Sequence, residues 1–473
     1  MSESIAFRAF EYHADASLRP APYRFVGSLT NGWDIERAGA QHLQLGPGYR
    51  LLRVSHCGVC STDLARRHLP FPLPQVIGHE VVAHDESGAA VAVEINASHA
   101  ARGLAWRQWC AFCRRGLDTH CPERVVLGIH DLPGGFGPWV LAPTANIVSI
   151  PPTISAKTAT LIEPFAAALH AVQACDPRDG DRIAVLGPRR LGSLAIAALS
   201  AWRRQSGRRY QILAIARHAE LRALARTLGA DDAIDVDAAQ SLHDVADCVV
   251  ETTGSPSGLV LAIQLATREV HVKSTTGQPT LGLAHLTEMV VDEIALEAFR
   301  RSGAQRFEGL AAVLGDVPIT VRRDLESRGL RVVTAASANE LASIVAMEPL
   351  GGADVAVVTS LAGIDAAIRP LTSVERGLVR ARGTILVADV DQPRDGLLAA
   401  LLDKGLRIST TRCGDFRAAI ALLADPVGGL GHQLGELMVT DVLPAARLAE
   451  AFAIAASPRS IKVVVTHPGG LKV

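Results

Sequence analysis

This chain lacks an excess of charge of either sign: 47 lysines and arginines stand against 48 aspartates and glutamates, a net charge of −1. Nucleic acid or an anionic membrane surface is gripped by a basic field, and none is available here. No apolar run of spanning length is free of charge, which excludes a membrane helix. The N-terminal residues 1–10 are charged and have no apolar signal core, so a cytoplasmic location is expected. Cysteine is sparse as well, eight residues in 473. Five crowd between positions 57 and 121, and Cys175, Cys248 and Cys413 are scattered. A disulfide framework would be spread differently and would suit a small secreted chain, so the clustering favours metal. What is present, 48% hydrophobic and 20% charged residues, is a globular composition long enough for two or three domains.

Residues 1–48 hold proline, glycine and aromatics without clear period and read as an N-terminal extension. From Tyr49 to Pro152, short β-like runs such as Leu51-Leu52-Arg53-Val54 and Ile147-Val148-Ser149-Ile150 alternate with turns, predicting an irregular β-rich domain. A helical stretch, 158–175, follows Pro151-Pro152. Strand and helix patterns then alternate, the mark of a parallel doubly wound sheet: Ile183-Ala184-Val185-Leu186, a helix over 191–203, a strand over 211–216, then Asp247-Cys248-Val249-Val250-Glu251 and Glu269-Val270-His271-Val272-Lys273. Residues 353–360 and 383–388 echo the stretches 247–254 and 270–275, which reads either as a partial internal repeat or as ordinary α/β punctuation. The end is a helix and then the strand Lys462-Val463-Val464-Val465.

Two stretches carry metal chemistry. In Cys57-Gly58-Val59-Cys60-Ser61-Thr62-Asp63, Cys60 precedes the imidazole of Gly78-His79-Glu80 by 19 residues, and Glu163-Pro164 comes later. A thiolate, an imidazole and a carboxylate with one open position make a catalytic zinc site. Cys60 and His79 supply two ligands, and Glu80 and Glu163 compete for the third. Thr62 is placed to relay a proton and Asp63 to orient the histidine. A redox Cys57/Cys60 pair is the competing reading. Further on, Cys110-x2-Cys113-x7-Cys121 suits a closed structural zinc. Arg107 stands where a fourth ligand is expected and cannot bind a cation; His99 is the better candidate, and a metal-free lobe held by packing is the alternative.

The run Gly187-Pro188-Arg189-Arg190-Leu191-Gly192 follows a strand and opens a helix, the context of a dinucleotide fingerprint, with Arg189 in place of the middle glycine. At the end of the second strand stand Ala216, Arg217 and His218 rather than an acid. A small residue followed by cations leaves room for a 2′-phosphate, so NADP(H) is expected over NAD(H).

Together with Gly134-Gly135-Phe136, Leu161-Ile162-Glu163-Pro164, Glu251-Thr252-Thr253-Gly254 and Ile461-Lys462-Val463-Val464, these runs resemble the zinc-dependent medium-chain dehydrogenase/reductases, the branch of alcohol, sorbitol and threonine dehydrogenases. The resemblance implies an α/β architecture: a GroES-like catalytic domain over 49–165 completed by 430–473, and a Rossmann domain over 166–296 continued at 406–430. Residues 297–405 then form an α/β insertion in the Rossmann part. It also implies a homodimer or homotetramer. It matches Cys60, His79 and Glu163 (Glu80 as alternate) to catalytic zinc, and Thr62 to the proton relay. It matches Cys110, Cys113 and Cys121 to structural zinc, and Gly187, Arg189, Leu191, Gly192, Arg217, His218 and Lys462 to the cofactor. The function implied is hydride transfer between a nicotinamide cofactor and a small alcohol, polyol or carbonyl substrate. A zinc-free enoyl or quinone reductase and a degenerate, non-catalytic binding module are the alternatives.

Overall fold

A computed structural model of the chain describes residues 3–68, 71–274, 279–303, 305, 307–368, 377–390, 394 and 396–467. Thr275, at the end of one echoed stretch, lies outside them. The chain divides into two compact units, Met1–Ala166 with Cys413–Val473, and Ala167–Arg412.

In the first unit the N-terminal extension, which showed no clear period, forms a four-stranded antiparallel meander: Glu3–Tyr12, Leu18–Ser28, Gly32–Arg37 and Ala40–Leu45. Its pattern is partial alternation: Tyr23 and Phe25 are buried while Arg24 between them is exposed, the period of a half-buried strand. Prolines at 20 and 22 mask that period in the sequence. Buried Glu11 accepts hydrogen bonds from Tyr23 Oη at 2.7 Å and Arg37 Nη2 at 2.8 Å. The main body of this unit is a seven-stranded sheet in the order Ile147–Ser149, Ala90–Val93, Glu80–His84, Tyr49–Gly58, Lys462–Thr466, Val439–Pro444, with Trp139–Pro143 also paired to Tyr49–Gly58. Tyr49, Leu52, Val54, Val81, Val140, Val463 and Val465 fill its core. The C-terminal strand reaches this sheet because Val464 lies opposite Gly58.

The second unit is one eleven-stranded sheet. Its strands in chain order are β1 (Arg182–Leu186), β2 (Gln211–Ile215), β3 (Asp232–Ile234), β4 (Ala246–Glu251), β5 (Ala266–Val272), β6 (Ala295–Ala298), β7 (Gly309–Leu314), β8 (Leu330–Ala335), β9 (Ala353–Val358), β10 (Val379–Val387) and β11 (Arg407–Thr410). The spatial order is β3-β2-β1-β4-β5-β11-β6-β10-β9-β7-β8, all neighbours parallel except β11 and β6. Strands β1 and β2 read as near-continuous apolar runs because helices such as Leu191–Ser206 pack on the sheet. The segment 297–405, expected as an α/β insertion in the Rossmann part, continues the sheet.

At the start of β1, Asp181 is bound at both oxygens by Arg268, at 3.0 and 2.7 Å. Burial pushes the Asp181 carboxyl up, but the Arg268 hydrogen bonds outweigh it and hold the group below the usual range. A depressed folded value contributes stability that is fully present above the unfolded aspartate value of about 3.9 and is lost as pH falls through the folded value. Denaturant midpoints measured against pH should fall less steeply below pH ~4 in Arg268→Met than in the parent; equal slopes would remove this pair from the acid sensitivity.

Candidate active site and metal centre

Cys60 leaves the strand Tyr49–Gly58 and caps the one-turn helix Ser61–Leu64. Its amide donates to Asp63 Oδ2 at 2.8 Å, which pins the carboxylate against the turn. The other oxygen, Oδ1, lies 3.4 Å from His79 Nδ1. His79 and Asp63 are both buried. Burial opposes charge on the His79 ring, yet the Asp63 carboxylate and a hydrogen bond with the Cys60 thiol hold the imidazole well above the ordinary histidine range. Thr62 is half-buried on the same turn. Cys57 has a different character: burial pushes its thiol well up, so it is a core group with little thiolate, which weighs against the redox pair.

Glu80 opens the strand Glu80–His84 opposite Gly58 and is 1% exposed. Its carboxylate forms an ion pair with Lys462, the first residue of the last strand. The Lys462 ammonium also lies 3.4 Å from Val59 O. Burial lowers its proton affinity, but Glu80, Cys60 and Glu163 together hold it above the ordinary lysine range. Lys462, expected at the cofactor, is thus engaged inside the first unit among the residues matched to zinc. Glu163 sits in the first turn of the helix Ile162–Cys175. Among the described residues two groups bring three or more ligand atoms within 4.8 Å of one another, and the Cys60–His79 pair is in neither. The Glu80 carboxylate instead pairs with the Lys462 ammonium. In kind, a thiol in contact with an imidazole that is oriented by Asp63, with carboxylates alongside, suits zinc.

The second candidate is closed. His99, Cys110, Cys113 and Cys121 form one of those two groups. Cys110 Sγ lies 3.9 Å from Cys121 Sγ, and Cys121 Sγ 3.5 Å from His99 Nδ1. His99 Nε2 meets Glu123 Oε2 at 3.1 Å, which leaves Nδ1 as the acceptor; it accepts from Cys110 N–H at 3.1 Å beside the Cys121 thiol. Arg107 is exposed on the loop. Glu123 was not among the sequence candidates, and no motif spacing points to it. The other group, Cys175, Glu269 and His271, belongs to the second unit and its donors are taken. His271 is held by Ser409 Oγ at 2.7 Å and Thr411 Oγ1 at 2.9 Å, and Glu269 by Arg407 at 3.2 Å. It is a satisfied buried network.

In the second unit Gly187 ends β1 at φ +84, and the helix Leu191–Ser206 begins four residues on. A Cβ on Gly192 would meet Gly187 O and Thr252 Oγ1, each at 2.6 Å. Thr252 Oγ1 donates to Leu186 O at 2.8 Å and Gly187 O at 2.9 Å, so the turn is braced from the end of β4. Thr252 was matched by motif and given no role. Arg189 and Leu191 are half-buried at the turn, and Arg217 and His218 are exposed beyond β2. Gly192→Val should lower nucleotide affinity at least about tenfold, since the turn must open to admit the side chain; unchanged binding by fluorescence titration would refute the crowding argument.

The geometry defines a β-rich domain with a Cys–His centre in one unit and a dinucleotide-type turn on a parallel sheet in the other. Residues 46–152 match the family model of the alcohol dehydrogenase GroES-like domain. L-threonine 3-dehydrogenase of Rhizobium johnstonii is 30% identical over 229 residues, 46% of this chain and 64% of that protein. The fold resembles L-idonate 5-dehydrogenase from Escherichia coli K-12, with a TM-score of 0.59 at 15% identity over 98% of this chain and 99% of that one. It also resembles a zinc-binding dehydrogenase from Sinorhizobium meliloti 1021 bound to NADP, with a TM-score of 0.55 at 17% identity over 98% of this chain and 99% of that one. Over residues 46–152 the chain is thus similar to the alcohol dehydrogenase GroES-like domain, and as a whole it has the fold of these dehydrogenases. Its match spans less than two thirds of the length of the threonine dehydrogenase relative. No helix among the described residues is long and apolar enough to cross a membrane.

Proposed function

We propose that this protein is a zinc-dependent oxidoreductase that moves a hydride between the CH–OH carbon of a small alcohol or polyol and a nicotinamide nucleotide. The observation that carries the reading is the contact of Cys60 with His79, backed by buried Asp63. Cys60, His79 and Glu163 would hold the catalytic zinc, with Glu80 as the alternate. His99, Cys110, Cys113 and Cys121 would hold a structural one. Zinc at the first site supplies polarisation of the substrate oxygen. Asp63 fixes the ring of His79 through Nδ1. Thr62 accepts the substrate hydroxyl proton and passes it on. Lys462 forms a buried ion pair with Glu80 beside the site. Gly187 and Gly192 let the helix N-terminus approach the pyrophosphate. Metal analysis should find zinc at both sites, and a metal-stripped protein that retains full activity would end the reading.

NADP(H) is the cofactor of this proposal. Arg217 and His218 stand exposed where an acid would otherwise bind the ribose hydroxyls, and a relative by fold binds NADP. A charge-assisted hydrogen bond is worth ~1.5–3 kcal/mol, so Arg217→Ala should weaken NADPH about tenfold to a hundredfold and leave NADH nearly unchanged. Competitive titration reads this directly, and tighter binding of NADH to the parent would reverse the assignment. A soluble homo-oligomer in the cytoplasm is the expected setting.

A further inference from the structure

The eleven-stranded sheet is two copies of one half-sheet. In the first, Ile183 of β1 pairs with Cys248 of β4, Cys248 with Glu269 of β5, and Glu269 with Arg407 of β11. In the second, Ala311 of β7 pairs with Val355 of β9, Val355 with Thr384 of β10, and Thr384 with Ala295 of β6. The correspondence runs outward too, with Ile183 paired to Ile212 of β2 and Ala311 to Val332 of β8. Irregularities repeat with the register. The β4/β5 pairing slips between Ala246 and Cys248, and the β9/β10 pairing slips between the equivalent Ala353 and Val355. Asp247 Oδ2 accepts from Arg182 N at 2.8 Å, and the equivalent Asp354 Oδ2 from Leu310 N at 2.9 Å. Ala184-Val185-Leu186-Gly187 reappears as Ala312-Val313-Leu314-Gly315, and both glycines have φ +84.

Each half ends on an exchanged strand, the sixth of the first half and the fifth of the second, which has no counterpart of β3. After β5 the chain runs through the helix Leu286–Val291 and lays β6 against β10 of the second copy. After β10 it runs through the helix Gly396–Leu402 and returns β11 to β5 of the first. The two exchanged strands pair antiparallel, and Leu296 lies opposite Ile408. By the register these two residues are equivalent to one another. Equivalent residues facing across an antiparallel pair are the signature of an isologous two-fold interface, here within one chain. Without this pairing β11 would be an exposed edge strand, and such edges invite association.

The second copy has lost the features of a phosphate site. Gly315 is kept, but the helix that follows, Ile319–Ser327, carries Thr320 where the first copy has Gly192. Asp316 and Val317 replace Pro188 and Arg189, and the exposed Asp316 sets a negative charge at the turn. A carboxylate there repels a pyrophosphate.

We propose that the segment from β6 to β10 is a built-in partner subunit. It closes in cis the sheet edge through which copies of the first half would otherwise associate, and it leaves one dinucleotide site per chain, in the first copy. The second clause rests on the nucleotide-binding reading above. Two measurements on the full-length protein test the proposal. Hydrogen exchange of peptides covering 295–298 and 407–410 should be equally protected over about a hundredfold dilution, because an intrachain seam does not follow mass action. Protection that falls on dilution would show that these strands pair between chains and would overturn the built-in partner. Calorimetric titration with NADPH should saturate at one nucleotide per chain. Two per chain would overturn the loss of the second site. No binding at all would remove the nucleotide-binding reading while the exchange result still decides the seam.

Discussion

Replacing Cys60 by serine or His79 by alanine is expected to lower kcat/KM by about a thousandfold or more, since loss of metal polarisation costs several kcal/mol and each ~1.4 kcal/mol is tenfold. Thermal stability should change little for Cys60→Ser, because the side chain is half-buried and close to isosteric. Zinc content should fall by the share of one site while the His99–Cys121 cluster keeps its metal. Asp63→Asn supplies the graded counterpart. It leaves Cys60 and His79 in place but removes the charge that orients the ring, and outer partners of this kind are worth about 10–100-fold in metal affinity or activity. Parent-like turnover in Cys60→Ser would move the chemistry away from this centre.

Cys121→Ser or His99→Ala should produce the second large effect, this time on structure. Binding energy at a closed zinc site is folding energy, about 10–16 kcal/mol in small zinc modules, and the segment 99–124 carries little regular structure of its own. Amides there should lose most of their exchange protection, zinc at this site should be lost, and thermal unfolding should begin earlier. The Cys60–His79 centre should retain its own metal. A lobe that stays protected without metal would show that packing alone maintains it.

The two metal candidates were legible in the sequence to different degrees, for a physical reason. Closed clusters are local: Cys110, Cys113 and Cys121 lie within one loop, and the spacing nearly dictates that their sulfurs meet. His99 was ambiguous because residues 100–109 separate it from the cysteines, and the choice came from the Cys121 contact and the Glu123 carboxylate. The Cys60 centre is assembled from four separate stretches. Motif order singles out its members, but nothing in a linear pattern says that the C-terminal strand starts with Lys462 beside Glu80. In the nucleotide turn, the glycines were readable from their spacing, while the hydroxyl brace from Thr252 needed β1 and β4 side by side.

Local physics is what the sequence determined by itself: alternating and continuous apolar runs set strands against helices, the glycine-bearing turn marked a candidate dinucleotide site, and clustered thiols marked a candidate metal lobe. These depend on near neighbours along the chain, so composition and period suffice. Tertiary structure alone decided that the N-terminal extension is a four-stranded sheet, that Glu80 answers Lys462, and that residues 297–405 widen the parallel sheet after an exchange of strands. Each of those outcomes is a pairing between distant segments, and the free energy of such a pairing depends on register and burial in three dimensions rather than on either segment read alone.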